Sequence, residues 1–167
     1  TELRYSVFQN DEGKTIFIPD SYPGDLVTLK ELEDRGSYAI ARNYTINPLS
    51  KIRKPSFCPF GKSCGGCPWH ELKYQDQLAW KKQFILDSFE KIGKTNLDEQ
   101  VKVIPSDQTT GYRNRLQLRA ITKSGRLHKV GFYERNSENI SPINHCLVSS
   151  PSLEDLISKL NEIKISS

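Results

Sequence analysis

Cys58-Pro59-Phe60-Gly61-Lys62-Ser63-Cys64-Gly65-Gly66-Cys67 sets three thiols in one glycine-bearing turn, and the fourth and last cysteine of the chain stands far downstream at Cys146. That pattern points to a metal or cluster site. Disulfide pairing is the weaker reading, because Cys64 and Cys67 sit too close together in a tight loop and nothing else in the chain suggests secretion. Zinc bound by four thiolates usually draws on two closely spaced cysteine pairs, whereas here the second half is a lone cysteine. A three-cysteine loop with a remote fourth ligand is more typical of an iron-sulfur cluster. Spacing alone leaves zinc and cluster equally open.

Upstream of the loop, from Tyr5 to about Ile52, the pattern is β. Tyr5-Ser6-Val7-Phe8, Thr15-Ile16-Phe17-Ile18, Leu26-Val27-Thr28-Leu29 and Ser37-Tyr38-Ala39-Ile40-Ala41 are parted by turns at Asn10-Asp11-Glu12-Gly13 and Pro23-Gly24. Short strands at that spacing suggest a small barrel. Phe17 reads as barrel core or rim, while Tyr44, flanked by Arg42 and Lys51, is the better candidate for stacking on a base. Lys51-Ile52-Arg53-Lys54-Pro55 then joins the barrel to the cysteine loop. Arg53 and Lys54 in this basic run are either solvated linker charges or phosphate contacts.

Downstream, Tyr74 to Ile92 reads as a helix closed by Gly93. Leu78, Ile85, Phe89 and Ile92 form one apolar stripe and Trp80 and Phe84 a second, so the helix is expected to be covered on two sides. Tyr112 to Ile121 reads as a strand. With a period of two, Leu116, Leu118 and Ala120 face one way, with Asn114 inward, and Arg113, Arg115, Gln117 and Arg119 face the other. Three arginines on one face repel one another unless they meet anions. Glu134 or Glu138 would give weak surface pairs; phosphate suits the arginine fork better, and the turn Lys123-Ser124-Gly125-Arg126 adds positive charge. A final helix starts at Ser150-Pro151 or Ser152, with Leu153, Leu156, Ile157, Leu160 and Ile163 on its stripe.

With 24 Lys and Arg against 20 Asp and Glu, the net charge of +4 allows nucleic-acid binding without demanding it. No apolar run approaches a membrane span and no signal peptide precedes Tyr5, so a cytoplasmic monomer of one or two compact domains with no membrane partner is expected. His70, His128 and His145 read as packing or outer residues, since four thiols need no further ligand.

The loop continued through Pro68-Trp69-His70-Glu71-Leu72, with Tyr112-Arg113-Asn114-Arg115, Gly131-Phe132-Tyr133 and Ile143-Asn144-His145-Cys146-Leu147, resembles the uracil-5 RNA methyltransferase family, whose members methylate C5 of uridine in ribosomal or transfer RNA. Ile16-Phe17-Ile18-Pro19 through Pro23-Gly24-Asp25 similarly looks like the TRAM domain, an OB-like barrel that these enzymes use on RNA. The resemblance implies that Cys58, Cys64, Cys67 and Cys146 hold a 4Fe-4S cluster. It also implies that Arg113 and Arg115 face RNA, ribosomal RNA being the expected partner. Family chemistry needs a further cysteine, a nucleophile that adds to C6 of the uracil before C5 attacks the methyl of S-adenosylmethionine. This chain has no cysteine to spare and no G-x-G-x-x-G turn after a strand.

The expected architecture is therefore α+β. A TRAM-like barrel at 1–54 precedes an iron-sulfur subdomain at 55–167, without a catalytic Rossmann-like domain, without catalytic residues and with S-adenosylmethionine bound only by the full-length enzyme. RNA contacts are expected from Arg113, Arg115, Arg119, Arg42, Tyr44, Arg53 and Lys54. Two other classes stand beside this reading: a free-standing zinc-binding RNA module, and an iron-sulfur electron carrier, against which the basic strand argues.

Overall fold

The computed structural model describes residues 5–97, 100–123, 126–135 and 137–163. They divide into two units, one running to Pro55 and including Glu71–Lys81, the other formed by Ser56–His70 and the residues from Lys82 onward. A reading along the chain places one boundary at 54/55; the return of Glu71–Lys81 to the first unit has no signature in composition.

Strands β1 (Tyr5–Gln9), β2 (Thr15–Pro19), β3 (Val27–Asp34) and β4 (Tyr38–Ile46) build the first unit as one sheet in the order β1-β2-β4-β3. The β1/β2 and β3/β4 pairs are antiparallel, and β2/β4 is parallel. Among the described residues no pairing joins the edge strands β1 and β3, and the strands expected to form a small barrel pair as one mixed sheet. Alternation does the sorting: Ile16 and Ile18 from β2 and Ala39 and Ala41 from β4 form the buried cluster, on which Val27, Leu29 and Tyr44 pack. Phe17 points to the other face, edge-on to Tyr5 and Tyr38 with ring centroids 6.1 and 5.5 Å away. Strand β3 runs on to Asp34, past its apolar start. Lys30-Glu31 and Glu33-Asp34 conceal this half from an apolar pattern, and such charges suit an exposed edge.

Arg53 is not a solvated linker charge. Its side chain is 11% exposed and grips Asp25 through Nη2 at 2.6 Å and Nε at 3.0 Å, Glu71 through Nη1 at 2.7 Å and the Asp20 carbonyl at 2.9 Å. The guanidinium also lies 4.3 Å from the centre of the Tyr22 ring. Asp25, with a fully buried side chain, accepts in addition from the backbone N–H groups of Tyr22 and Ser50. The Gly24 turn that presents Asp25 has φ of +84°, and a Cβ there would lie 2.8 Å from the Ser50 hydroxyl. Lys54 donates its backbone N–H to the Glu71 carbonyl and Lys73 to that of Ile52, so the chain is stitched to itself on either side of the cysteine loop.

In the second unit, β5 (Arg119–Lys123), β6 (Arg126–Tyr133) and β7 (Ile140–Pro142) form an antiparallel sheet in that order. Helix α2 (Pro151–Glu162) starts on Ser150 with a proline in its first turn and buries Ile157 fully. Val130, Ile143 and Ile157 make the core, joined by Phe60, Leu116, Leu118, Leu127, Phe132, Leu160 and Cys146. Helix α1 (Tyr74–Lys91) begins in the first unit and ends in the second. Neither of its apolar stripes is buried among the described residues: Phe84, Ile85 and Phe89 are nearly half exposed and Ile92 more so, although Trp69 packs on Phe84 with centroids 5.8 Å apart.

The expected strand from Tyr112 to Ile121 is mostly an extended segment, and only Arg119 onward enters the sheet. Arg113 makes a single parallel bridge to Ser149. Without a ladder the strict alternation lapses. Leu116 and Leu118 do reach the core, but Arg113 turns inward while Asn114, expected inward, is exposed alongside Arg115. Ser124 and Gly125 of the basic turn lie outside the described residues.

Burial pushes the Asp25 carboxyl up, but hydrogen bonds from Arg53, Ser50 and Tyr22 outweigh it and hold the pKa below the usual carboxylate value. A lowered folded-state pKa contributes stability that is present above the unfolded value, about 3.9, and lost as pH falls through the folded one. Asp25→Asn is expected to destabilise the first unit by about 3 kcal/mol or more near neutrality, because it strips a buried arginine of its main partner. The gap between wild type and variant should close as pH drops below about 4. Urea melts over a pH series check both.

Candidate metal centre

All four cysteines are free thiols, half-buried, and line one cavity of the second unit. Phe57, Phe60, Phe132, Ile143, Leu147 and Val148 supply most of its apolar wall, and the empty volume is about 460 Å³ including the part open to solvent. Convergence of residues so far apart in sequence follows from how two loops are anchored.

The first loop is fastened to the end of β6. Cys64 pairs with Glu134 as an antiparallel bridge, Gly65 N–H donates to the Tyr133 carbonyl at 2.9 Å, and Arg135 N–H to that of Ser63 at 3.2 Å. The Ser63 and Ser141 hydroxyls share a hydrogen bond of 2.7 Å, tying the loop to β7 as well. Within the loop, the Arg135 guanidinium donates to the Gly61 carbonyl at 2.7 Å and to His70 Nε2. That fixes the proton of His70 on Nδ1, which donates to Ser56 Oγ at 2.8 Å; Ser56 in turn donates to the Cys58 carbonyl and accepts from its N–H. Buried and with both ring nitrogens occupied, His70 is a strut of the loop and not a ligand.

The second loop is held by α2. Glu154 Oε2 accepts the Cys146 N–H at 2.8 Å and lies 2.9 Å from the Ser149 hydroxyl, which is also 2.7 Å from the Cys146 carbonyl. Parallel to it runs the Gly111–Arg113 segment: Gly111 N–H donates to the Leu147 carbonyl, Arg113 N–H to Val148, and Ser150 N–H to Arg113. Glu154 and Arg135 were not legible as site residues. Glu154 lies four residues past an N-cap serine and so resembles an ordinary first-turn acid.

At Cys64 and Cys67 the electrostatics favour neutral thiols until something compensates them. Burial pushes Cys64 and Cys67 up, and the neighbouring cysteines add to it. In the opposite direction work the Gly66 N–H, 3.4 Å from Cys64 Sγ, the Arg135 charge on Cys64 and the Arg113 charge on Cys67. Among the described residues no three His, Cys, Asp or Glu side chains close on a point that would hold a single metal ion. Four thiols line one shared cavity, a donor chemistry common to zinc and iron-sulfur sites.

The arginines and the tyrosine expected to bind RNA are dispersed. Arg115 is exposed, Arg119 stacks 4.8 Å from the centre of the Tyr133 ring, and Arg113 faces the thiols. Among the described residues none of the three forms an ion pair with Glu134 or Glu138. Arg42 is paired with Glu33. Tyr44 is half-buried against the core, donates its hydroxyl to the Pro19 carbonyl at 2.7 Å and has its phenol pKa pushed up by burial. His145 packs edge-on against Phe60 with Nδ1 beside Asn144, and no helix is long and apolar enough to cross a membrane among the described residues.

No family model matches the chain. It is 30% identical over 93% of its length to a protein of Aquifex aeolicus named as an uncharacterized RNA methyltransferase, covering 36% of that relative. A Clostridium acetobutylicum protein of the same description is 31% identical over 86% of the chain, which covers 31% of it. Among solved structures, 97% of the chain superposes on the Pyrococcus abyssi tRNA (uracil-54, C5)-methyltransferase in complex with S-adenosyl-L-homocysteine, with a TM-score of 0.63 and 27% identity, covering 37% of that enzyme. The chain is similar to RNA methyltransferases. It spans about a third of the length of these relatives.

Gly61 is where the first loop tolerates least. A Cβ there would meet Ser56 Oγ at 2.3 Å and the His70 ring at 2.7 Å, and neither partner is free to retreat. Gly61→Ala is expected to cost about 1 to 3 kcal/mol. It should also lower the metal content of the purified protein, whereas Gly13→Ala, with open space around its Cβ, should leave metal content unchanged. Metal analysis beside thermal melts checks this.

Proposed function

We propose that this chain is the RNA-recognition and cluster-binding portion of an S-adenosylmethionine-dependent RNA (uracil-C5) methyltransferase. The observation that carries the reading is the meeting of Cys58, Cys64, Cys67 and Cys146 in one cavity, in a chain similar to RNA methyltransferases over nearly its whole length. Support for uridine C5 comes from the Pyrococcus abyssi structure, and for S-adenosylmethionine from the S-adenosyl-L-homocysteine bound to it.

The donor chemistry fits a 4Fe-4S cluster held by the four cysteines. When bound, such a cluster clamps the first loop to the Cys146 loop, and in a unit with a small apolar core around Val130, Ile143 and Ile157 that clamp is a large part of the stability. With all four thiols committed, none is left to add to C6 of a uracil, so the 167 residues by themselves bind RNA without methylating it. For RNA contact the exposed Arg115 is the residue we favour, because Arg113 lines the thiol cavity and Arg53 is held by Asp25 and Glu71.

Anaerobically purified protein is expected to contain iron and acid-labile sulfide in equal amounts, and Cys146→Ser to lose both. Stoichiometric zinc without sulfide would overturn the cluster reading. Titration with uridine-containing hairpins of transfer and ribosomal type, at several salt concentrations, tests the RNA reading and the class of RNA together. Arg115→Ala should flatten the slope of log affinity against log salt by about 0.7, the value for one phosphate contact on a single strand. Absence of RNA affinity in the wild type would overturn it. Calorimetry should detect no S-adenosylmethionine binding by these residues alone.

A further inference from the structure

We propose that Arg113 is the counter-ion of the four-thiol centre, a residue that sets how firmly the cluster is held and at what potential it is reduced. The proposal rests on the cluster reading and goes beyond it by giving the site its charge partner. Sequence alternation puts Arg113 on a strand face with Arg115 and Arg119, toward solvent and RNA. The structure puts it among the residues that line the thiol cavity, with Cys58, Cys64, Cys67 and Cys146.

Three observations converge. The backbone of Arg113 is fixed from both directions to the segment that follows Cys146, donating to Val148 at 2.8 Å and accepting from Ser150 at 2.7 Å, so its Cα cannot drift from the fourth thiol. Among the described residues no carboxylate pairs with it. Arg135, which does not line the cavity, is engaged with His70 and the Gly61 carbonyl and holds the loop. A half-buried guanidinium without a carboxylate partner is well placed to face an anion in the cavity. Four thiolates on an iron-sulfur core supply one, because the assembly is net negative.

Net charge and surrounding charge set both the stability and the potential of such clusters. Adding an electron to an anionic cluster is easier beside a fixed cation, so removing the cation lowers the potential. The exposed neighbour Arg115 is the control, because it has the same side chain on the same segment and does not line the cavity.

The test compares wild type, Arg113→Gln, Arg113→Lys and Arg115→Gln, each reconstituted anaerobically with iron and sulfide. Iron and sulfide per chain, the rate at which visible absorbance is lost in air, and the reduction midpoint are measured for each. Arg113→Gln is expected to lose its cluster several-fold faster than wild type and to have a lower midpoint. Arg113→Lys should fall between them, and Arg115→Gln should match wild type. An Arg113→Gln protein equal to wild type in rate and midpoint overturns the proposal, as does equal behaviour of the Arg113→Gln and Arg115→Gln variants. If Arg113→Gln does not fold, the lysine variant decides, since it keeps the charge and moves it. Wild type that takes up no iron and sulfide removes the cluster reading itself, a failure seen before any variant is compared.

Discussion

Bringing Cys146 to the Cys58–Cys67 loop is the constraint to which the second unit answers. The thiols come from segments far apart in sequence, and burial with the neighbouring cysteines makes Cys64 and Cys67 resist ionisation. Each surrounding feature offsets some part of that. Strand β6 and Ser141 of β7 fix the first loop, the Glu154 carboxylate of α2 fixes the second by accepting the Cys146 N–H, and Arg135 and Arg113 bring positive charge to bear on Cys64 and Cys67. The modest core of Val130, Ile143 and Ile157 lies against Cys146 itself, so packing and ligand placement are one event.

The first unit solves a different problem with similar means. The core cluster of its sheet is Ile16 and Ile18 of β2 with Ala39 and Ala41 of β4, and the segment that leaves it and returns is anchored by one arginine reaching Asp25, Glu71 and Asp20. An ion pair buried to this degree contributes less by its own attraction than by the cost of breaking it, which makes the turn around Gly24 and Asp25 the place where the unit is least tolerant.

What was legible in the sequence was what short-range chemistry writes there. The cysteine spacing, the alternation that makes Ile16 and Ile18 core, the helix beginning at Ser150-Pro151 and the helix ending before Gly93 all depend on neighbours within a few positions. What was not legible depends on partners far away. Arg53 sits in a run of basic residues that looks solvated, and only the fold puts Asp25 and Glu71 beside it. Arg113 shares a pattern with Arg115, and only the loss of the ladder before Arg119 turns one inward and leaves the other out. Tyr44 looked like a surface aromatic because its neighbours are charged, while its hydroxyl finds the Pro19 carbonyl across the sheet.

The most direct test is an anomalous diffraction measurement at the iron absorption edge on crystals grown without oxygen. The account predicts a compact peak of several iron atoms within the cavity, each bonded to the sulfur of Cys58, Cys64, Cys67 or Cys146. A single metal ion on those sulfurs, zinc at its own edge, or iron bound at any other residues would contradict it.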